Sequence, residues 1–181
     1  PIVSGAVDIY STEYAFAALF SDGSVRVWGD TASGGRFSAN VYDFTPTGET
    51  DKVVKIVGNN RGFAALKADG SVLTWGDLYG WDPTITGAVD IYSTSKAFAA
   101  LKSDGSVEVW GDRMSAATGG VAPNIGAGSG IVHIYGSSGN AFVAIKGTVS
   151  YENGPLLAPH VGGFTNKKRV CGVDWTERQW T

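Results

Sequence analysis

The chain is poor in the residues that build disulfides and metal centres. Its 181 residues include one cysteine, Cys171, and two histidines, His133 and His160. One cysteine cannot form an internal disulfide, which is typical of a reducing compartment, although an unpaired thiol can also bridge two chains. These three side chains are fewer donors than a structural zinc site of nitrogen and sulfur ligands uses. We therefore expect a fold that needs neither a disulfide nor a metal, and we expect no cofactor.

Charge and long apolar runs are also scarce. Only 17% of the residues are charged, the net charge is −3, and the 14 basic residues are scattered along the chain. Nucleic-acid binders need a basic surface, so we do not expect nucleic acid as a partner. No run of about 18 apolar residues occurs, so we expect no transmembrane insertion. The chain begins at Pro1 rather than methionine, which indicates that a targeting peptide or another leading segment was removed.

What the chain does contain is an internal repeat. The segments GAVDIYSTEYAFAALFSDGSVRVWGD at 5–30 and GAVDIYSTSKAFAALKSDGSVEVWGD at 87–112 match at 22 of 26 positions. A diverged copy occupies 53–77, and a decayed copy without the Trp-Gly dipeptide occupies 132–151. Duplication at this level indicates four structural units in two pairs. The predicted domains are a first half at 1–82, a second half at 83–151 and a C-terminal arm at 152–181.

Each unit contains a hairpin whose register can be derived from its residue pattern. A two-residue turn would pair polar with apolar side chains on both faces. A type I turn that ends in Gly105 as a left-handed bulge instead pairs Leu101 with Val107, and it places Phe98 opposite Trp110 on the other face. One face is then wholly buried, and the other is expected to be covered only at its aromatic base. The repeated structural positions are Phe16, Gly23, Trp28, Phe63, Gly70, Trp75, Phe98, Gly105, Trp110 and Phe142.

A third strand precedes each hairpin. The alternation of apolar and polar residues in Val-Asp-Ile-Tyr at 89–92 predicts a short strand that pairs with the hairpin. No segment has a sustained helical period. The sequence therefore predicts an all-β fold of two pseudo-twofold-related halves, each with two three-stranded meander units, and an extended C-terminal arm.

The repeated aromatic and acidic residues have structural interpretations with functional alternatives. We interpret Trp28, Trp75 and Trp110 as core residues opposite a phenylalanine, the alternative being platforms on which sugars stack. The aspartates that recur in the turns and after each Trp-Gly are interpreted as caps of local backbone amides. Calcium binding is the alternative, but calcium needs about six oxygens around one point, which single carboxylates spread over repeats do not supply.

No constellation typical of an enzyme is present. The sequence has no nucleophile paired with a base, no metal cluster and no phosphate-binding loop. Asp174 and Glu177 are a weak carboxylate pair outside the repeats, and we expect no enzyme activity. In the C-terminal arm, Trp175 and Trp180 are candidate self-association residues. The alternative is that the arm packs across its own domain.

The unit resembles a known family of repeats. Its order of Phe-Ala-Ala-Leu, Asp-Gly and Val-x-x-Trp-Gly is similar to the repeat of the chromosome-condensation regulator (RCC1-like) propellers. The Gly-Gln-Leu-Gly-type segment that follows Trp-Gly in that family is missing here. Four short units are not expected to close a propeller, so nucleotide exchange, the activity of that family, is not carried over.

A closer resemblance covers residues 5–151. The motifs GAVDIYST, AFAALKSDGSV and VWGD resemble those of the pyrenoid shell proteins of diatom chloroplasts. The resemblance implies a nuclear-encoded protein of the chloroplast stroma that has lost its transit peptide. It further implies copies that tile into a sheet around the pyrenoid, with the Rubisco matrix as a partner. The fourth unit departs from the motif, with Lys-Gly-Thr at 146–148 in place of Lys-Ser-Asp-Gly-Ser.

These observations favour a structural protein that self-assembles into a sheet-like shell around the Rubisco-containing pyrenoid and serves carbon fixation. Nearly repeated surfaces can propagate contacts between copies, and few charges guard the strand edges. The alternative is a β-scaffold binding module whose loops at 31–51 and 113–130 hold a glycan or a protein partner.

Overall fold

The computed structural model describes residues 4–37, 43–78, 83–111, 125–139 and 141–147. Within these ranges it contains β-strands and no helix. The strands are β1 (Ala6–Ser11), β2 (Ala15–Phe20), β3 (Val25–Gly29), β4 (Asp43–Phe44), β5 (Val53–Gly58), β6 (Gly62–Lys67), β7 (Val72–Gly76), β8 (Ala88–Ser93), β9 (Ala97–Lys102), β10 (Val107–Gly111), β11 (Ile131–Gly136) and β12 (Phe142–Lys146).

The all-β prediction is confirmed. Each repeat forms its own antiparallel sheet: β1-β2-β3-β4 in the first unit, β5-β6-β7 in the second, β8-β9-β10 in the third and β11-β12 in the fourth. The predicted three-stranded meander is therefore present in the first three units. The fourth unit shows two strands in the part of the chain that the structure describes.

The hairpins have the predicted register. In the third unit, Leu101 lies opposite Val107 and Phe98 lies opposite Trp110. Gly105 has a φ of +80°, and its amide closes the turn with a hydrogen bond of 3.0 Å to the carbonyl of Lys102. A positive φ at this place is accessible to glycine without steric cost, which explains why the turn glycine recurs in the first three units.

The units stack face to face in chain order, which buries both faces of the inner sheets. Residues 97–101 of β9 are all buried, and residues 62–66 of β6 are as well. The expectation that one face is covered only at its aromatic base is therefore wrong for these units, because each sheet is sandwiched between two neighbours. Three apolar clusters fill the gaps, with Ala17 and Phe63 in the first, Ala64 and Phe98 in the second, and Ala99 and Ile134 in the third.

The first strands of the units, β1, β5, β8 and β11, lie next to each other along one side of the stack. They approach so closely that a Cβ atom at Gly58 would collide with the carbonyl oxygen of Ser11. A Cβ atom at Gly136 would collide in the same way with the carbonyl oxygen of Ser93. A serine of the first unit thus faces a glycine of the second, and a serine of the third unit faces a glycine of the fourth. This is expected if the chain arose by duplication of a pair of units.

The outer edge of each of the first three sheets pairs with the link that follows it. The contacts are a bridge from Val25 to Phe44, a hydrogen bond of 3.3 Å from the amide of Val72 to Ile85, and a bridge from Val107 to Ile125. These short additions cover edges that the sequence analysis left unpaired.

Several predicted features lie outside the described residues. These are the C-terminal arm at 152–181 with Trp175 and Trp180, most of the loop at 113–130, and Cys171. The division into halves stays a prediction. The second apolar cluster joins Ala64 of the first half to Phe98 of the second.

Candidate interaction surfaces

One apolar face of the first unit is not covered by another unit within the described residues. We call it the first-unit face and define it as Ile9, Phe16 and Trp28. Phe16 and Trp28 stack with ring centroids 5.6 Å apart. Ile9 is 52% exposed and Phe16 is 44% exposed, whereas the equivalent isoleucines and phenylalanines of the second and third units are at most 1% exposed. The difference arises because the equivalent residues are covered by the preceding unit.

At the opposite end of the stack, the fourth unit has an apolar face that no other unit covers in the part of the chain that the structure describes. We define this fourth-unit face as Tyr135, Val143 and Ile145. Val143 is 63% exposed, while Ala99, which occupies the equivalent place in the third unit, is fully buried. The two ends of the stack are therefore different surfaces. The first-unit face corresponds to the side of a unit that packs on the preceding unit, and the fourth-unit face corresponds to the side that packs on the following unit.

Polar side chains occupy one equivalent position in all four first strands. Asp8, Lys55, Asp90 and His133 each lie opposite the leucine or isoleucine of the neighbouring hairpin strand. Across the boundary between the second and third units, Nζ of Lys55 lies 2.5 Å from Oδ1 of Asp90. This ion pair is partly exposed, so its contribution to stability is small.

Tyrosines beside these polar residues reach toward the following unit. Tyr92 of the third unit bonds to Nδ1 of His133 in the fourth, with 3.2 Å between the two atoms, and Nζ of Lys55 lies 5.0 Å from the Tyr92 ring centroid. Burial and the carboxylate of Asp90 raise the pKa of Tyr92. Burial and a hydrogen bond to Asp8 raise the pKa of Tyr10 to about 12. Both phenols therefore stay neutral at physiological pH and act as hydrogen-bonding groups.

A polar cleft of about 520 Å³ lies where the turns that follow the first strands converge. Its lining consists of residues 11–13, 58–60, 93–95 and 136–138. Backbone hydrogen bonds link these turns from unit to unit, with Asn60 donating to Ser95 at 3.0 Å and Ser95 donating to Gly139 at 2.9 Å. This cleft was not predicted from the sequence, although a pair of serine, threonine or asparagine residues at the end of each first strand was a signal for it.

The cleft side chains are partly occupied by their own turns. Oγ1 of Thr94 accepts a hydrogen bond of 3.0 Å from the amide of Ala97, and Oδ1 of Asn59 accepts one of 2.9 Å from the amide of Gly62. Thr12 and Ser137 cap their turns in the same way. The cleft offers hydroxyls, amides and the carboxylate of Glu13, which suit a hydrogen-bonding ligand.

The repeated tryptophans occupy two different environments. Trp75 and Trp110 are buried, and the indole nitrogen of Trp75 donates to the carbonyl of Gly34 at 3.1 Å. Trp28 is only half-buried, because its unit is the first of the stack. Core packing is thus observed for Trp75 and Trp110, whereas Trp28 is only partly covered.

The turn aspartates cap local amides. Oδ1 of Asp104 accepts hydrogen bonds from the backbone amide of Ser106 at 2.8 Å and from its hydroxyl at 2.6 Å. These bonds lower the pKa of Asp104, and the bonds from Ser24 and Ser71 lower the pKa values of Asp22 and Asp69 in the same way.

Among the described residues, no group of three or more histidine, cysteine, aspartate or glutamate side chains is placed to hold a metal. No helix in those residues is long and apolar enough to cross a membrane.

Sequence comparison identifies no relative. No protein-family model matches the chain, and no curated protein matches it.

Comparison with solved structures identifies the fold. The crystal structure of human WBSCR16 is 19% identical, with a TM-score of 0.55 over 79% of this chain and 45% of that one. Yeast RCC1 (Prp20) bound to Kap60 is 19% identical, with a TM-score of 0.53 over 73% of this chain and 38% of that one. The ectodomain of the Arabidopsis thaliana receptor kinase ACR4 is 15% identical, with a TM-score of 0.50 over 76% of this chain and 48% of that one.

WBSCR16 and Prp20 are RCC1-like β-propeller proteins, so the likeness of the hairpin unit to their repeats is confirmed at the level of the fold. The chain spans less than half the length of each of these structures. Its units are similar to consecutive blades of such a propeller.

Proposed function

We propose that this chain is a structural protein that assembles with copies of itself, and that it is not an enzyme. The observation that carries the proposal is the exposure of Ile9 and Phe16, whose equivalents in the next two units are completely covered. Exposed apolar surface that matches a buried interface elsewhere in the same molecule is a ready contact for another copy.

Low charge supports the same proposal. The net charge of −3 is spread over 181 residues, so mutual repulsion between copies is weak. Loss of water from the apolar faces then favours association, at roughly 25 cal/mol for each Å² of apolar surface buried.

The test is light scattering and negative-stain electron microscopy across a concentration series. We expect assemblies that grow with concentration for the wild-type chain, and monomers for Ile9→Asp. Val54→Asp is the matched control, because Val54 is an exposed first-strand residue outside both free faces. A wild-type chain that remains monomeric at the highest concentration would contradict the proposal. Deletion of residues 165–181 is expected to weaken association and leave the fold intact.

The proposal extends to the form and place of the assembly. We propose a sheet-like shell around the Rubisco-containing pyrenoid in the chloroplast stroma, which would serve carbon fixation. Support comes from the resemblance of the motifs in 5–151 to pyrenoid shell proteins of diatoms. Fluorescent tagging of the protein in a diatom is expected to outline the pyrenoid. A signal that fills the stroma evenly would argue against this location.

The polar cleft favours a second candidate function, a binding module for a glycan or a protein. One structural neighbour, yeast RCC1, was crystallised bound to Kap60, which shows that a protein of this fold engages another protein. A glycan array and affinity capture with a Ser93→Trp variant as control would test it, because the larger side chain fills the cleft. Equal signals from both proteins would remove the cleft as the binding site.

A further inference from the structure

Resting on the proposed self-assembly, the structure points to the geometry of the contact between copies. We propose that copies join head to tail, with the fourth-unit face of one copy on the first-unit face of the next. In this junction, His133 lies beside Asp8 of the next copy. The contact repeats the one that the second and third units make within the chain.

The first step is the equivalence of the first and third units. Their segments match at 22 of 26 positions, and the differences are Glu13/Ser95, Tyr14/Lys96, Phe20/Lys102 and Arg26/Glu108. Phe20 and Arg26 lie on the same sheet face as Trp28, closer to the hairpin turn, where the third unit has the Lys102–Glu108 ion pair instead. The apolar part of the surface that the third unit presents to the second, formed by Ile91, Phe98 and Trp110, is present on the first unit as Ile9, Phe16 and Trp28.

The second step is the equivalence of the fourth and second units. The second unit contributes Ala64 and Leu66 to the cluster that it shares with the third unit. Val143 and Ile145 occupy the same register positions in the fourth unit, and they are apolar and accessible. Val143 is larger than Ala64, so the two sheets would lie slightly further apart in the junction while burying apolar surface on both sides.

The third step is charge. Within the chain, Lys55 of the second unit pairs with Asp90 of the third at 2.5 Å. His133 is the fourth-unit equivalent of Lys55, and Asp8 is the first-unit equivalent of Asp90. A head-to-tail junction thus places the His133 imidazole beside the Asp8 carboxylate, as Lys55 lies beside Asp90 within the chain.

A junction of this kind is heterologous, so it leaves one free face at each end and propagates in one direction. A sheet then requires a second contact on another part of the surface. The head-to-tail junction accounts for the two faces that the described residues leave uncovered.

Cross-linking tests the junction directly. In a Cys171→Ser background, Asp8→Cys protein is mixed with His133→Cys protein and treated with a short thiol-reactive cross-linker. We expect a cross-linked dimer whose mass spectrum contains the peptide that joins positions 8 and 133. As controls, a mixture of Gly48→Cys with His133→Cys should give no such dimer, and Lys55→Cys with Asp90→Cys in one chain should cross-link internally.

Charge exchange is the second measurement. Asp8→Lys is expected to raise the concentration at which assembly is half complete by about tenfold, because the junction then lacks the carboxylate that faces His133. Combining Asp8→Lys with His133→Asp is expected to restore assembly. Glu49→Lys, which makes the same change in net charge at an exposed site, is expected to have little effect.

The outcomes separate this inference from the proposed function. Assemblies that form without the cross-link between positions 8 and 133, and without rescue by the double exchange, would overturn the head-to-tail junction and leave self-assembly standing. A wild-type chain that never assembles would overturn both.

Discussion

Lys55 and Asp90 form an ion pair across the boundary between the second and third units, with 2.5 Å between Nζ and Oδ1. The two residues occupy the same position in consecutive repeats, so the ion pair links the first strands of two neighbouring units. Its side chains are 38% and 32% exposed, which limits its contribution to stability.

We therefore expect a small effect from breaking this pair. Lys55→Ala and Asp90→Ala should each lower the free energy of unfolding by about 1 kcal/mol or less, because solvent screens a partly exposed pair. A double-mutant cycle from urea denaturation measures the coupling directly. A coupling energy well above about 1 kcal/mol would show that the pair is more shielded from water than its exposure indicates.

Equivalent phenylalanines should differ strongly in their energetic contributions. Phe98→Ala is expected to lower the free energy of unfolding by about 3–5 kcal/mol, since the ring is fully buried between two sheets. Phe16→Ala should cost only about 1 kcal/mol in the monomer, because this ring is uncovered on one side. Urea denaturation at a concentration below assembly compares the two variants. Equal losses would contradict the one-sided exposure of the first unit.

Close packing of the first strands makes their glycines sensitive to a single methyl group. Gly136→Ala is expected to lower stability by about 1–3 kcal/mol, because the new Cβ atom collides with the carbonyl oxygen of Ser93. Gly48→Ala is the matched control, as a Cβ atom there meets open space. Thermal unfolding of both variants provides the comparison, and a neutral Gly136→Ala would indicate that the strands can move apart.

The turn aspartates should make stability dependent on pH. Hydrogen bonds from Ser106 lower the pKa of Asp104 in the folded chain. The ionised carboxylate therefore stabilises the folded chain above its unfolded pKa of about 3.9, and this stabilisation is lost as the pH falls through the lower pKa of the folded chain. Asp104→Asn should therefore lower the urea midpoint at pH 6, and the difference from the wild type should shrink on acidification below about pH 4. Ser106→Ala should act in the same direction. A difference that is constant with pH would contradict this role for the carboxylate.

The sequence by itself determined the repeated unit. The Ser-Asp-Gly turn and the alternation on either side of it establish the hairpin register, because only one pairing keeps apolar residues such as Leu101 and Val107 together. The aspartate caps could also be predicted, since an aspartate in a tight turn commonly accepts a hydrogen bond from the backbone amide two residues further on. These are local interactions, so a pattern of neighbouring residues is sufficient to define them.

Only the tertiary structure decided which repeated residues are exposed. Ile9 and Ile91 lie in the same GAVDIYS segment, yet one is half exposed and the other is fully buried. The polar cleft and the pairing of Lys55 with Asp90 likewise join residues from separate repeats. Burial depends on what lies against a sheet, and this is set by the order in which the units stack, which no single repeat encodes.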